Sequence, residues 1–210
     1  MTHREHLREA RLLLVTDPRP DLVERVAAAV RGGVEIVQLR DKRAARNKLL
    51  PIARELGEVC ARGGAIFTVN DDPELARISG AAGVHLGQED GPIARATELL
   101  GPDAIVGRSA GSVEEAREAV QEGADYLGIG TIYGTPTKTD TEVAGPELLR
   151  EIARERLSVP WFAIGGVTLE TAPEVATAGA WGFAVVRAIL DAEDPEAAAR
   201  ELRSLLPVSR

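Results

Sequence analysis

The sequence has few aromatic residues, one cysteine and no excess of positive charge, and each scarcity excludes a class of protein. Aromatic residues make up 3% of the 210 residues, too few for a base-stacking surface or a membrane-interface belt. The single cysteine, Cys60, cannot form an internal disulfide, which indicates a reducing compartment. With 25 basic and 33 acidic residues the net charge is −8, so the chain lacks the basic footprint of a nucleic-acid-binding protein.

Long apolar segments and metal-binding histidine clusters are missing as well. The first ten residues contain no apolar stretch after their basic residues, so they do not form a signal peptide. No run approaches the ~18 apolar residues of a membrane span. His3 and His6 lie near the N-terminus and only His85 lies in the body, which argues against a Cys/His zinc site. We therefore expect a cytoplasmic protein with small-molecule partners, and the sequence leaves self-association open.

Lysine is scarce among the basic residues. The 25 basic residues include only three lysines, Lys42, Lys48 and Lys138. Where arginine is used almost everywhere, a retained lysine can mark a place that needs a compact ammonium group. Chance is the alternative explanation.

Short aliphatic runs alternate with amphipathic segments along the whole chain. Runs of this kind are typical of strands buried on both faces, and strict alternation with helices predicts a parallel sheet with right-handed crossovers. Eight units predict a (β/α)8 TIM barrel in one domain, residues 1–210, with about the first ten residues as an extension. An open doubly wound sheet is the alternative, although no G-x-G-x-x-G motif follows the first strand. The predicted strands are Leu12–Val15, Glu35–Leu39, Ile66–Val69, Gly83–Leu86, Ala104–Val106, Tyr126–Ile129, Trp161–Ile164 and Phe183–Val186. The predicted helices are Leu22–Arg31, Ala44–Ala61, Pro73–Ser79, Ile93–Leu100, Val113–Glu122, Glu147–Arg156, Leu169–Ala178 and Pro195–Leu205.

Polar residues collect after the predicted strands, at the end of the barrel where active sites lie. Strand alternation puts Gln38, Arg40 and Lys42 on one side of the second strand. Cations here, together with the carboxylates of Asp71 and Asp90, suggest a diphosphate bound with a divalent metal ion. Glycines after the seventh strand, Gly165 and Gly166, suit a separate phosphate, because backbone N–H groups can approach an anion closely there.

Several of these residues also have simpler interpretations. Asp72 precedes Pro73 and is best explained as a helix N-cap. His85 can satisfy its hydrogen bonds inside the barrel, and Arg43, Arg46 and Lys48 can form a solvated basic face. The loop Gly130–Gly145 is unusually long, and long loops are usually either functional or disordered. Because it contains Lys138, we expect it to have a function.

Taken together, the motifs resemble the thiamine phosphate synthase family over nearly the whole chain. They are Leu13–Asp17, Val37–Lys42, Val69–Asp71, Gly83–Asp90, Ala124–Gly128, Thr135–Lys138 and Ile164–Val167. The resemblance implies a Mg²⁺-dependent transferase that joins 4-amino-2-methyl-5-(diphosphomethyl)pyrimidine to 4-methyl-5-(2-phosphoethyl)thiazole, or its carboxylated form, with release of pyrophosphate.

The resemblance also implies a role for each matching position. Asp71 and Asp90 would hold Mg²⁺, and the residues that act in catalysis would be Arg40, Lys42, Ser109 and Lys138. Those that bind the pyrimidine diphosphate would be Gln38, Leu39, Arg40, Asp41, Lys42, Asn70, Ser109 and Lys138. Those that bind the thiazole phosphate would be Thr135, Pro136, Thr137, Gly166, Val186 and Arg187. Arg187 departs from the family, which often has a serine there.

Two other functions are considered beside this one. A thiazole tautomerase would keep the phosphate site but need a histidine near Ser109, and residues 107–112 contain none. A barrel that only binds phosphorylated ligands would have lost part of the metal and diphosphate set, which is complete here.

Overall fold

The computed structural model describes residues 2–134 and 143–206, and these form a closed barrel of eight parallel strands. Each strand pairs with the next one along the chain, and the first pairs with the last. This architecture confirms the predicted (β/α)8 barrel. The strands are β1 Leu12–Val15, β2 Ile36–Leu39, β3 Ile66–Asn70, β4 Gly83–Leu86, β5 Ile105–Ala110, β6 Tyr126–Ile129, β7 Trp161–Ile164 and β8 Gly182–Val185.

The eight predicted helices are present, with bounds shifted by at most a few residues. They surround the barrel as α2 Leu22–Arg31, α3 Arg46–Gly63, α4 Pro73–Ser79, α5 Ile93–Leu100, α6 Val113–Gln121, α7 Gly145–Glu155, α8 Ala172–Thr177 and α10 Pro195–Ser204. Two further helices were not anticipated, α1 His3–Glu9 and α9 Arg187–Leu190. None of the described helices is long and apolar enough to cross a membrane.

The strand alternation separates two apolar cores. Outward-facing residues such as Leu14, Val37 and Val84 pack against the helices. Inward-facing residues fill the N-terminal half of the barrel, among them Ile36 and Tyr126. In the C-terminal half, β2 to β6 contribute polar residues or glycine to the interior, whereas β1, β7 and β8 contribute Val15, Ile164 and Ala184, and this end of the barrel is open as a cavity.

Helix α1 closes the opposite, N-terminal end of the barrel. It begins with a capping box in which Thr2 and Glu5 exchange hydrogen bonds. Its Leu7 is 1% exposed and packs into the interior core. Arg4 binds Asp125, just before β6, with Nε 2.7 Å from Oδ1. Burial and this ion pair attach the first residues of the chain to the barrel.

A longer fifth strand is the main change to the predicted sheet. The apolar run that predicted this strand covers only Ala104–Val106, and Ser109 was expected at the strand's end. The structure continues β5 to Ala110. Arg108 is thereby an outward strand residue and Ser109 an inward one.

Candidate active site at the C-terminal mouth of the barrel

The cavity at the C-terminal ends of the strands brings together most of the predicted site. All eight strands contribute to its lining. Strand alternation explains this, because inward residues of neighbouring parallel strands meet at the same level of a barrel. The predicted residues that line it are Gln38, Arg40, Lys42, Asn70, Asp71, Ser109, Gly166, Val186 and Arg187.

Two predicted binding residues, Leu39 and Asp41, have side chains outside this cavity. Both alternate with Gln38 and Arg40 and therefore point to the other side of β2 and its extension. Leu39 is 3% exposed and packs between the sheet and the helices. Oδ1 of Asp41 accepts hydrogen bonds from the backbone N–H groups of Arg43 and Ala44, which shapes the turn before α3.

The carboxylates of Asp71 and Asp90 form an acidic pair, in which Asp71 lines the cavity and Asp90 lies beside it without lining the cavity. Burial and a hydrogen-bonding contact with Asp90 raise the pKa of Asp71, whereas Lys42 acts in the opposite direction. Lys42 Nζ lies 3.1 Å from Asp71 Oδ2. Asp71 has a φ of 63°, a left-handed conformation that few non-glycine residues adopt. Its backbone N–H donates to the carbonyl oxygen of His85 at 2.8 Å, which holds it there.

The acidic pair fits a hard divalent cation. Burial and the neighbouring Asp90 disfavour the ionised carboxyl of Asp71, and a cation between the two side chains would relieve this. The described residues contain no cluster of three or more His, Cys, Asp or Glu side chains suited to a metal, so these residues alone offer no complete cage. Magnesium is commonly held by one or two carboxylates together with substrate phosphates and water.

His85 lies on the floor of the cavity beside Ser109. Its Nε2 is 3.0 Å from Ser109 Oγ, and its ring contacts that of Tyr126 with centroids 5.4 Å apart. It is 7% exposed and lines the cavity, and its contact with Ser109 agrees with the interpretation of a histidine that satisfies its hydrogen bonds inside the barrel. Gly107 makes room for it, since a Cβ there would lie 2.5 Å from His85 Nδ1.

The β7 and β8 ends form the opposite wall of the cavity. Gly165 and Gly166 have φ values of 98° and 67°, which glycine adopts without strain. A Cβ on Gly166 would lie 2.5 Å from Cβ of Tyr133, so the close approach of two loops also requires glycine. Arg187, at the start of α9, is exposed and lines the cavity. Loops after strands 7 and 8 followed by a short extra helix are the frequent phosphate site of such barrels.

Four predicted residues, Thr135, Pro136, Thr137 and Lys138, lie outside the described residues. The chain on either side of them is attached to the β7 end. Backbone N–H groups of Ile132 and Tyr133 donate to Ile164 and Gly165, and Ala144 donates to Thr131. Thr131 and Thr168 also line the cavity and were not predicted, because neither carries a charge or belongs to a recognisable motif.

Comparisons with known proteins agree with this geometry. A family described as thiamine monophosphate synthase matches residues 12–189. A thiamine-phosphate synthase of Gloeobacter violaceus is 50% identical over 91% of this chain. One of Halorhodospira halophila is 49% identical over 90% of each chain. A solved structure, the thiamine phosphate pyrophosphorylase from Pyrococcus furiosus, has a TM-score of 0.86 and 39% identity, with 96% of each chain covered. The chain spans 56% of the length of the Gloeobacter relative.

Proposed function

The chain belongs to the thiamine monophosphate synthase family, and from this premise we propose that it is a thiamine phosphate synthase. It would join the pyrimidine diphosphate to the thiazole phosphate. The C–O bond between the pyrimidine methylene carbon and the diphosphate breaks, and pyrophosphate leaves with the electron pair. A new bond forms between that carbon and the thiazole nitrogen, which gives thiamine phosphate.

A single observation carries the proposal: one cavity has two separate regions whose side chains and backbone suit anions. Arg40 and Lys42 line it beside the acidic pair, and Arg187 lines it beside Gly166. Cations with carboxylates suit a diphosphate accompanied by a metal ion, whereas glycine-rich backbone with one arginine suits a monophosphate. A reaction that joins a diphosphate to a monophosphate needs both in one site.

The residues suit a reaction that depends on the leaving group and on positioning. Arg40 and Lys42 would stabilise the charge that develops on the departing diphosphate. Asp71 and Asp90 would hold Mg²⁺, which when bound supplies further positive charge to the diphosphate. Asn70, Gln38 and Ser109 would orient the pyrimidine so that the methylene carbon faces the thiazole nitrogen.

The thiazole phosphate would bind at the β7 and β8 ends. Backbone N–H groups at Gly166 and Val186 would contact the phosphate, and Arg187 would add a charge-assisted hydrogen bond. As the family resemblance implies, Thr135, Pro136 and Thr137 would also bind the thiazole phosphate, and Lys138 would bind the diphosphate. A site that excludes water would protect a reactive pyrimidine methyl cation.

A thiazole tautomerase is the second candidate, because of one observation that the sequence did not offer. Residues 107–112 contain no histidine, yet His85 from the neighbouring strand lies 3.0 Å from Ser109. A histidine at that place could transfer a proton. The acidic pair and Lys42 have no part in such a reaction, and they favour the synthase.

The deciding experiment supplies the protein with both phosphorylated substrates and Mg²⁺ and measures thiamine phosphate and pyrophosphate. Equal amounts of the two products support the synthase, and their absence rejects it. A parallel sample containing only the carboxylated thiazole phosphate, followed by NMR, detects tautomerisation. Omission of Mg²⁺ with a chelator should abolish coupling. We further propose that the enzyme acts in the cytoplasm.

A further inference from the structure

Strand β5 carries a buried arginine on the face opposite the cavity. Ser109 lines the cavity, so the preceding residue, Arg108, points outward from the barrel. Arg108 is 7% exposed, which is rare for an arginine. Removing a guanidinium from water is costly unless its donors are satisfied, so its partners indicate what it stabilises.

The guanidinium of Arg108 binds both ends of one short turn. Its Nη1 donates hydrogen bonds to the carbonyl oxygens of Gly87, at 2.8 Å, and Gly91, at 3.0 Å. The three residues between these glycines follow β4 at the cavity rim. Nη2 lies 3.4 Å from Oε2 of Glu122. The negative charge of this carboxylate offsets the positive charge of the guanidinium. Arg108 thus fixes the two ends of the turn to β5.

The same turn carries Asp90, one member of the acidic pair. The backbone N–H of Gly87 donates to Asp90 Oδ2 at 2.6 Å, and the N–H of Asp90 donates to the Gly87 carbonyl at 3.3 Å. The residue that orients the Asp90 carboxylate is therefore the residue that Arg108 anchors. Gln88 ties the turn to β5 a second time, with Nε2 2.7 Å from the Ser109 carbonyl oxygen.

We propose that Arg108 is a positioning residue that holds the Asp90 carboxylate where it can bind a divalent cation together with Asp71. Arg108 faces away from the cavity, so it acts through the turn and not on the substrate. The inference rests on the proposed function for the role of that cation in the reaction. The tie through Gln88 survives in Arg108 variants, so the metal site should weaken without being lost.

The direct test is Mn²⁺ binding to the free protein, measured from the EPR signal of unbound Mn²⁺, which needs neither substrate nor turnover. In Arg108→Met we expect the Mn²⁺ dissociation constant to rise about tenfold or more, the range observed when groups that orient metal ligands are lost. Arg108→Lys keeps a donor near the two carbonyls and should recover most of the affinity. The matched control is Arg117→Met, because Arg117 is an exposed arginine of α6 that pairs with Glu155; its Mn²⁺ affinity should equal that of the parent.

Coupling kinetics separate this inference from the proposed function. In Arg108→Met the Mg²⁺ concentration at half-maximal rate should rise by the same factor, while KM for the thiazole phosphate stays unchanged. Parent-like Mn²⁺ affinity in Arg108→Met would overturn the inference, whatever the activity of the parent. A parent that shows no Mg²⁺-dependent coupling would overturn the proposed function instead.

A second variant decides the matter if Arg108→Met does not fold, as judged by circular dichroism. The amide nitrogen of Arg108→Gln ends two bonds short of the Nη1 position, so it cannot reach the two carbonyls, yet the side chain stays polar. We expect the same rise of about tenfold in the Mn²⁺ dissociation constant. Unchanged affinity in this variant rejects the role of Arg108.

Discussion

The ammonium nitrogen of Lys42 lies 3.1 Å from Oδ2 of Asp71. The sequence assigned these residues to different ligands, Lys42 to a diphosphate and Asp71 to a metal ion, yet they form one ion pair. The Lys42 side chain is 56% exposed, so water screens the pair and it contributes at most about 1 kcal/mol. Such a pair can be broken at low cost, which leaves each partner available to its own ligand.

Replacement of Lys42 should therefore affect the diphosphate more than the fold. In Lys42→Met we expect KM for the pyrimidine diphosphate to rise about tenfold or more, since a hydrogen bond to a charged group contributes about 1.5–3 kcal/mol. The thermal unfolding midpoint should change little. Lys48→Met is the matched control, because Lys48 is an exposed lysine further along the same segment. Equal KM values for the two variants would contradict the prediction that Lys42 binds the diphosphate.

Asp71→Asn should separate metal binding from stability. Burial and Asp90 disfavour the ionised carboxyl of Asp71, and asparagine tolerates its φ of 63° as well as aspartate does. We expect the thermal unfolding midpoint to be no lower than in the parent, and Mg²⁺-dependent coupling to be lost. Near-normal turnover in both Asp71→Asn and Asp90→Asn would contradict the metal assignment. Alanine is a poorer choice at position 71, because it adds strain at positive φ.

The sequence predicted the barrel and one wall of the site for a simple reason. Period-two alternation and the position after a buried strand are local signals, and they identified Gln38, Arg40 and Lys42. Local signals did not reveal the contact between His85 and Ser109, because it depends on the register that pairs His85 with Gly107 on the next strand. The same alternation, applied strictly, would have predicted that the side chains of Leu39 and Asp41 point away from the cavity.

Other elements were missed although their signals were present. The T-x-x-E spacing of Thr2 and Glu5 is a capping box, followed by Leu7 on the buried side of α1, but a helix of seven residues gives too little periodicity to detect.

The role of Arg108 could not be predicted from the sequence, because it depends on whether β5 continues past Val106. Its carbonyl partners, Gly87 and Gly91, carry no sequence information about their acceptor role.

Helix α1 should contribute strongly to stability and not to the chemistry. Leu7 is 1% exposed inside the barrel, and a buried leucine replaced by alanine costs about 2–5 kcal/mol. We expect Leu7→Ala to lower the free energy of unfolding by that amount in urea titrations, with kcat unchanged at temperatures where the variant is folded. Leu99→Ala is the control, since Leu99 is 42% exposed, and it should change stability by no more than about 0.5 kcal/mol. A similar loss in both variants would contradict the packing of α1.

Cys60 should be chemically inert in the folded protein. It is 1% exposed within α3, and burial raises the pKa of its thiol to about 12. Since the thiolate is the reactive form, we expect no reaction with a disulfide reagent such as DTNB at pH 8 until the protein is denatured, when one thiol per chain should react. Rapid reaction of the native protein would show that α3 opens at this position.

The glycine at position 107 should be required for the floor of the cavity. A Cβ there would contact the ring of Tyr126 and lie 2.5 Å from His85 Nδ1, and both rings are buried. Overpacking of this kind costs about 1–3 kcal/mol, so Gly107→Ala should lose that much stability and also raise KM for the pyrimidine diphosphate, because displacement of His85 moves its partner Ser109. Gly57→Ala is the matched control. Its Cβ would lie 3.6 Å from Phe67, an ordinary van der Waals distance. Alanine in place of glycine in the interior of α3 should raise the free energy of unfolding by about 0.5–1 kcal/mol. If Gly107→Ala has the same free energy of unfolding and the same KM as the parent, the prediction of a close contact between β5 and His85 is wrong.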